Sequence, residues 1–364
     1  MKRFFTHPIL RPGRILAPIC LFVLLASMTA HAQSTIDIGN PGITSGTGWT
    51  YIPATQIYTI TGDGVTITGN VTGATVSRTF VIDAGKTATW TATLSGSANP
   101  VVTLDGGGTL DITGGVITHT DMLHAIHIQG NGTTLSVSGG TVSVPTGGGY
   151  AINVSGTNNT VNVSGTGRVE QNDGGTAIFY NTGGTVNISG GTVSSNFAAI
   201  YLYAGGTVNV TGGLVEASHS AINTNSTSNI SVSGGTVTSV GSGSEAAIYT
   251  TGGVGTVTVN GGSVLATGSG YAINTTGDVT VTEGFICSKT GLAISASGSV
   301  DVLISGGAVF SYGTAVGDVI WSGNGFTAPS GVGAVIAWDN QTTPISYTSG
   351  TRNDLFMLPA GVAS

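Results

Sequence analysis

The sequence predicts an all-β fold, a right-handed parallel β-helix with about nine regular coils, each of roughly 21–27 residues, and irregular caps. Gly supplies 61 of the 364 residues and charged residues only 7%, while 40% of the chain is hydrophobic. A helical protein is excluded because helices need many charged residues on their solvated faces. The Gly residues follow no three-residue period, which excludes collagen. Short stretches of alternating apolar and polar residues recur instead at the spacing of a solenoid.

Two markers define the repeat. The first is an Ala followed by Ile or Val, and its Ala residues are Ala125, Ala151, Ala177, Ala199, Ala221, Ala247, Ala272, Ala293 and Ala315. The second is a Gly-Gly pair, which begins at Gly114, Gly139, Gly190, Gly212, Gly234, Gly261 and Gly306. A unit of this size cannot bury an apolar face alone, so stacked units must build the core together.

Each repeat predicts three short strands. Sequence such as Val186-Asn187-Ile188 alternates apolar and polar residues before the Gly pair, and a second strand follows the pair with one inward aliphatic residue. The Ala-Ile pair marks the third strand. Stacking at about 4.8 Å per coil turns each repeated position into a column of like side chains. A right-handed coil is favoured because left-handed forms usually follow a hexapeptide period.

The segment Met1–Ala32 has the pattern of a signal peptide. A basic stretch precedes an apolar run over positions 15–29, and Ala30-His31-Ala32 predicts cleavage ahead of Gln33. A membrane anchor is disfavoured, since Pro18 interrupts a run that is shorter than the roughly 20 residues needed to span a bilayer. We therefore expect a protein that is secreted or held on the outer cell surface.

The remaining sequence predicts one domain, because no linker composition divides it. Residues 33–107 are expected to form an N-terminal cap and the first irregular coils, and residues 108–317 the regular coils. Residues 318–364 are expected to form the last coil and a C-terminal cap. Solenoid ends need such caps to protect exposed strand edges. We expect a monomer.

Cleavage would leave five basic residues against sixteen acidic ones. Five scattered cations make no footprint for nucleic acid, and an acidic surface is repelled by anionic lipid. Neither nucleic acid binding nor membrane insertion is therefore expected after cleavage. Cys287 is the only cysteine beyond the leader, so no intramolecular disulfide is expected. The five basic residues are Arg78, Lys86, Arg168, Lys289 and Arg352.

The combination of Gly-Gly-Thr-Val, Ala-Ile pairs and Thr-Val-Asn-Val strands resembles secreted bacterial β-helix surface proteins of the carbohydrate-binding and adhesin-like type. The resemblance covers roughly positions 60–350. It implies polysaccharide binding or adhesion outside the cell, with an extracellular polysaccharide or a cell-surface glycan as partner. The shared residues belong to the scaffold, so the resemblance supplies no catalytic residue.

Aromatic residues gather at the third strand. Phe179, Tyr201 and Tyr249 occupy the outward place after the Ala-Ile pair, where another coil carries Asn223. Sugars stack on aromatic rings and hydrogen-bond to amides, although strands also favour Tyr for reasons of propensity alone. The candidate carbohydrate-binding residues are Tyr150, Phe179, Tyr201, Tyr203, Asn223, Tyr249 and Tyr271.

Metal binding is a weaker hypothesis. His119, Asp121, His124 and His127 lie close together in the sequence, and imidazole and carboxylate groups suit Zn²⁺. A solvated polar edge is the simpler interpretation. We expect no cofactor. Ca²⁺ stays an open alternative, although it prefers six to eight oxygen ligands and the sequence offers no clear site for it.

A carbohydrate-active enzyme is the main alternative. Glu170 and Glu216 fall at equivalent positions two coils apart, at roughly 9.6 Å by the strand spacing, which suits an inverting glycosidase. Two solvated acids would give the same pattern. The leading hypothesis is a non-enzymatic protein that binds polysaccharide or mediates adhesion. The alternatives are a polysaccharide lyase or glycoside hydrolase that acts on an extracellular glycan, and a purely structural surface spacer.

Overall fold

The computed structural model describes residues 34–253, 255–312, 318–324, 326–327, 334–338 and 356–357. The chain divides into two units, Met1–Ala32 and Gln33–Ser364. The predicted signal peptide lies outside the described residues, as does most of the predicted C-terminal cap. Across the described ranges, no helix has the length and hydropathy of a membrane span.

The described part of the second unit is a parallel β-solenoid of about twelve turns that contains no α-helix. Each turn places one strand on each of three faces, which we call A, B and C in chain order from the strand that precedes the Gly bend. Strands of successive turns pair in parallel on every face. This confirms the predicted parallel β-helix, and its handedness stays a prediction.

Faces A and B are joined by the Gly bend. Face A contains Val65–Thr68, Thr87–Trp90, Thr109–Ile112, Thr134–Val137, Asn159–Val163, Val302–Ile304 and Phe326–Thr327. Face B contains Asn70–Ala74, Thr93–Gly96, Val116–His119, Thr141–Val144, Arg168–Gln171, Ala308–Tyr312 and Ala334–Trp338. Five longer strands run through both faces, namely Gly184–Ser195, Gly206–Ala217, Ser228–Ser239, Thr256–Ala266 and Asp278–Ser288.

Face C carries the Ala-Ile pairs. Its described parallel strands are Ile57–Ile60, Arg78–Ile82, Val102–Asp105, Ile126–Ile128, Tyr150–Val154, Thr176–Tyr180, Ala198–Leu202, Ser220–Thr224, Ala246–Thr250, Tyr271–Thr275, Ile294–Ala296 and Ile320–Ser322. Both residues of the Ala-Ile pair are buried in the turns whose side chains are described, for example Ala199 and Ile200. Small Ala fits the corner of the coil, while Ile fills the interior.

Further strands of the described chain lie at the ends of the solenoid. Thr35–Asp37 pairs in parallel with Val65–Thr68, and Trp49–Ile52 pairs antiparallel with both Ser45–Gly46 and Ile57–Ile60. Phe356–Met357 pairs antiparallel with Ala334–Trp338. An antiparallel partner covers the open edge of a parallel stack and so limits edge-to-edge association.

The bend between faces A and B explains the Gly pair. Gly213, the second member of one pair, has a φ of +73°, a conformation that side chains disfavour. A Cβ atom at Gly213 would lie 2.6 Å from the carbonyl carbon of Gly190 in the preceding turn. Both backbone conformation and close stacking of successive bends therefore require Gly.

Polar side chains form the predicted column on face A. The Nδ2 group of Asn187 donates to Oδ1 of Asn162 at 2.9 Å, and Nδ2 of Asn209 donates to Oδ1 of Asn187 at 2.8 Å. Asn187 and Asn209 thus each donate a hydrogen bond to the Asn of the preceding turn, and their amide groups carry no charges that would repel each other. The low charge content of the sequence follows from this arrangement.

The regular stacking begins earlier than the markers indicate. The strands between Ile57 and Asp105 already pair in parallel with each other and with the next turn. The early turns lack the Ala-Ile pair, and large side chains such as Phe80 and Trp90, both fully buried, fill their interior. The repeated small residues therefore indicate about nine coils, whereas pairing defines about twelve turns.

Candidate functional site

One outward column on face C brings together the predicted aromatic and amide residues. Its register runs through His127, Asn153, Phe179, Tyr201, Asn223, Tyr249 and Asn274. Phe179, Tyr201 and Tyr249 are all half-buried.

Four rings form a continuous outer stack, which we define as His124, Tyr150, Phe179 and Tyr201. The ring centroids of His124 and Tyr150 lie 4.9 Å apart at an interplanar angle of 6°, and those of Tyr150 and Phe179 lie 4.3 Å apart at 18°. Tyr201 departs from the parallel arrangement, since its ring stands at 78° to Phe179 with centroids 5.5 Å apart.

This stacking changes what the predicted residues can do. The ring of Tyr150 is covered on one face by His124 and on the other by Phe179. A sugar cannot lie on a covered ring face. Tyr150 therefore packs within the outer stack and does not offer a surface on which a sugar could stack. Burial raises the pKa of Tyr150 above its usual value, and its phenol stays neutral at physiological pH.

Tyr201 and Tyr203 lie where the outer stack ends. The Tyr201 hydroxyl accepts a hydrogen bond from Nδ2 of Asn225 at 2.5 Å. Burial, and to a lesser extent the nearby Tyr203, raises the pKa of Tyr201. Tyr203 is 55% exposed. These two residues present aromatic surface and a fixed hydroxyl on the same turn.

A pocket with a volume of about 210 Å³ opens beside the column and spans the turn of Tyr201 and the two turns that follow it. We call it the corner pocket, because it lies where face B turns into face C. It contains two of the predicted residues, Asn223 and Tyr249. Its full lining is Phe197, Ala198, His219, Ser220, Asn223, Ser244, Glu245 and Tyr249.

Unequal turn lengths create the corner pocket. Only Asn196 and Phe197 join faces B and C in one turn, and only Ser218 and His219 join them in the next. The connection that follows runs over positions 240–245, and the one that precedes runs over positions 172–175. Two short corners between longer ones leave a recess, and the longer of these two flanking loops, over positions 240–245, supplies its wall.

A carboxylate–imidazole pair stands at the edge of this recess. Oε1 of Glu245 lies 2.5 Å from Nδ1 of His219, and the side chains of His219 and Glu245 are 48% and 32% exposed. The His219 ring in turn lies 5.2 Å from the ring of Phe197, centroid to centroid, at 49°. A carboxylate, an imidazole and a phenyl ring therefore follow one another along three neighbouring corners.

Tyr271 is a predicted residue that the corner pocket does not include. Its backbone pairs with Ala246, and its side chain is half-buried one turn further along face C, without contributing to the lining. The structure therefore separates Tyr271 from the predicted residues Asn223 and Tyr249.

The residues predicted as metal ligands have separate hydrogen-bonding and stacking partners. His119 is fully buried in face B, and its Nδ1 accepts a hydrogen bond from the Asp121 amide at 3.0 Å. His124 belongs to the outer stack, and Nε2 of His127 lies 2.8 Å from Oγ of Ser155. Within the described ranges, no group of three His, Cys, Asp or Glu side chains is placed to hold a metal ion.

Two of these imidazoles are held in the neutral form. Burial, and then the neighbouring His127 and His119, lowers the pKa of His124 to about 4. Burial also lowers the pKa of His127. A neutral His124 is suited to stacking on Tyr150, because a charged ring would lose hydration there.

The residues of the enzyme alternative also have clear positions. Glu170 and Glu216 are separated by Ser194 in register, two turns apart as predicted. Arg168 forms an ion pair with Glu170, while Glu216 lines a separate polar groove on face B. Cys287 is not part of that alternative, and burial raises the pKa of its thiol, which opposes the thiolate form that a nucleophile needs.

No protein-family model, curated protein or solved structure matches this chain significantly. The resemblance to secreted carbohydrate-binding β-helices therefore rests on the repeat pattern. The β-solenoid itself is shown by the strand pairing.

Phe197, His219 and Glu245 are site residues that the sequence prediction missed. None of them follows an Ala-Ile pair, where the repeat pattern predicts outward side chains. The sequence does contain a signal, because the step from Ala221 to Ala247 is longer than the step from Ala199 to Ala221. A local increase in spacing marks a longer loop, and long loops in repeat proteins often carry the binding surface.

Proposed function

We propose that this protein is a non-enzymatic, secreted or cell-surface β-solenoid that binds polysaccharide along face C and thereby contributes to adhesion. The observation that carries the proposal is the continuous run of aromatic and amide groups on consecutive turns, from the outer stack through Tyr201 and Asn223 to Tyr249. Aromatic rings with nearby polar groups suit ligands that have one apolar and one hydroxylated surface.

The spacing of the column supports an extended ligand. Turns repeat at about 4.8 Å, so Tyr201 and Tyr249 lie about 10 Å apart along the solenoid axis. A rigid sheet holds these groups in place, so little conformational entropy is lost when they bind. An elongated polymer lying along face C would meet several weak contacts at once, and their effects combine through multivalency.

The test is a glycan array probed with the chain from Gln33 onwards, with and without Ca²⁺. We expect a polysaccharide ligand whose binding weakens at least tenfold in the double variant Tyr201→Ala, Tyr249→Ala. Phe285→Ala is the matched control, because Phe285 is a 40% exposed aromatic residue on face B. Loss of binding in the control alone, or equal binding by all proteins, would refute the assignment of face C.

Activity assays separate this proposal from the enzyme alternative. The same glycans are incubated with the wild type and with the double variant Glu170→Ala, Glu216→Ala, and new reducing or unsaturated ends are measured. The proposal expects no new ends and unchanged binding in the double variant. Product formation that the Glu substitutions abolish would instead establish a hydrolase or lyase.

A further inference from the structure

We infer that the corner pocket is a subsite for a single neutral pyranose ring of the polysaccharide. This inference rests on the proposed function and adds the class of sugar and the place where one ring is held. It uses three residues outside the predicted set, Phe197, His219 and Glu245.

The size of the pocket limits the ligand to one ring. Pockets for drug-sized ligands usually begin near about 300 Å³, and the corner pocket has about 210 Å³. Ala198 and Ser220 line it at successive positions in register, whereas the same column carries Tyr150 and Thr176 in earlier turns. Small side chains at these two turns open the space that larger ones would fill.

Aromatic surfaces stand on two sides of the space. Phe197 is 38% exposed at the corner, and the half-buried Tyr249 rises from the column on face C. The neighbouring His219 is tilted by 49° to Phe197 and does not cover it in a parallel stack. Phe197 therefore offers a ring face that Tyr150 in the outer stack does not.

Glu245 is held ready to accept hydrogen bonds from hydroxyl groups. Its Oε2 accepts from the Ser242 amide at 2.6 Å, and its Oε1 faces His219. A carboxylate has about four acceptor positions, so two remain for a ligand.

The loop that carries Glu245 is tied to the next turn. The Glu245 carbonyl accepts from the Tyr271 amide at 2.8 Å, and the Gly241 carbonyl accepts from the Gly270 amide at 2.9 Å. The side chain of Asn274 also donates to the Ser244 carbonyl at 3.0 Å. A loop anchored at three points keeps the carboxylate in one place before any ligand arrives.

Asn223 supplies the observation that most directly indicates a missing partner. Its Oδ1 atom is buried and has no hydrogen-bond partner in the described structure. Buried polar groups are almost always paired, and this amide lies in the wall of the pocket. A hydroxyl of a bound sugar would provide the missing donor once the side chain turns its Oδ1 atom towards the pocket.

Charge selects a neutral sugar. Glu245 lines the pocket, and Glu216 lies in the polar groove on the other side of the same short corners. None of the lining residues is Lys or Arg, and His219 is already paired with Glu245. The carboxylate of a uronic acid would meet like charge here, with no lining cation to offset it.

The test uses ligand-observed NMR titration of the chain from Gln33 onwards with methyl glycosides of glucose, galactose, mannose and N-acetylglucosamine, and with methyl glucuronoside. We expect weak binding of at least one neutral glycoside and none of the uronoside. Phe197→Ala and Glu245→Gln should each weaken it about tenfold or more, since each removes a ring face or a charged acceptor. The matched controls should change nothing: Phe285→Ala alters an exposed residue on face B, and Glu283→Gln alters an exposed residue at the bend between faces A and B.

The two proposals fail in different ways. Polysaccharide binding that depends on Tyr201 but survives Phe197→Ala and Glu245→Gln, with no glycoside bound, would overturn the subsite and leave the proposed function intact. Preference for the uronoside would overturn the neutral class. No polysaccharide binding at all by the wild type would overturn the proposed function itself.

Discussion

Two aromatic stacks run along this solenoid, one inside it and one outside. In the interior, Tyr51 lies 4.2 Å from Tyr58 and Tyr58 lies 4.8 Å from Phe80, centroid to centroid. Phe80 then meets Trp90 edge to face at 5.7 Å. The outer stack of His124, Tyr150, Phe179 and Tyr201 shows nearly the same spacings and also ends in an edge-to-face pair.

The comparison shows that parallel stacking of turns builds both an aromatic core and an aromatic surface. Parallel stacking brings like side chains together wherever they recur at one position. Tyr58 and Phe80 share an inward position, so their rings replace the aliphatic core in the early turns. Phe179 and Tyr201 share an outward one, so their rings stiffen a surface. Position within the strand, and not residue type, decides between core and surface.

The largest expected effect on stability is that of Phe80→Ala, in the inner stack formed by Tyr51, Tyr58, Phe80 and Trp90. Removal of a fully buried ring leaves a cavity and typically costs about 3–5 kcal/mol. The midpoint of urea unfolding should fall accordingly, while glycan binding by the remaining folded protein stays unchanged. A decrease of less than about 1 kcal/mol in the free energy of unfolding would show that the inner stack does not stabilise the early turns.

Phe179→Ala should affect the outer stack less. The ring is half-buried, and an aromatic pair adds about 0.5–1.5 kcal/mol beyond burial. We expect a loss of about 1–2 kcal/mol in the same urea experiment, together with weaker polysaccharide binding. The contrast with Phe80→Ala fails if both variants lose the same stability.

Acid should loosen the outer stack and spare the inner one. The pKa of folded His124 is about 4, whereas an unfolded His has a pKa of about 6.5. The unfolded state therefore binds more protons between these values, and stability is lost as the pH falls from about 6.5 towards 4.

The size of this effect is on the order of 1 kcal/mol once solvent screening is allowed for. Melting temperatures of the wild type and of His124→Phe between pH 7 and pH 4 measure it. The variant should show a smaller decrease in melting temperature than the wild type over this range. Identical pH profiles for the wild type and His124→Phe would contradict a neutral His124 in the stack.

Tyr201→Phe should give the smallest change. It removes only the hydroxyl that accepts the hydrogen bond from Asn225 on an exposed surface, which is worth about 0.5–1.5 kcal/mol. We expect the free energy of unfolding to fall by about 0.5 kcal/mol, the lower limit of this range. Polysaccharide affinity should fall modestly, and both losses should be smaller than for Phe179→Ala. An effect equal to that of Tyr201→Ala would mean that the hydroxyl, and not the ring, is the important group.

The sequence predicted the scaffold well because the scaffold is local and repeated. Ala199-Ile200 and the Gly212-Gly213 pair each specify a corner or a bend within a short stretch of chain, and the repeat multiplies the signal. It predicted the outward column for the same reason. The early turns were predicted only as irregular, because Phe80 and Trp90 replace the usual markers there.

The corner pocket could not be predicted in this way. It depends on two short corners lying beside a longer one, and on Glu245 reaching back to His219 in the preceding turn. Such a contact joins residues that share no motif and are separated by a whole turn of the solenoid. Only the register of the stacked turns brings them together.

The sequence alone therefore determined the solenoid, its three strands per turn and the columns of like side chains, because period and alternation set them. The tertiary structure decided which rings cover one another and which remain free. Tyr150 became a covered support, while Phe197 became an exposed face beside an anchored carboxylate. The reason is physical. The orientation of a ring and the space beside a loop depend on the side chains and loop lengths of the neighbouring turns, and the pattern within one repeat carries no information about those turns.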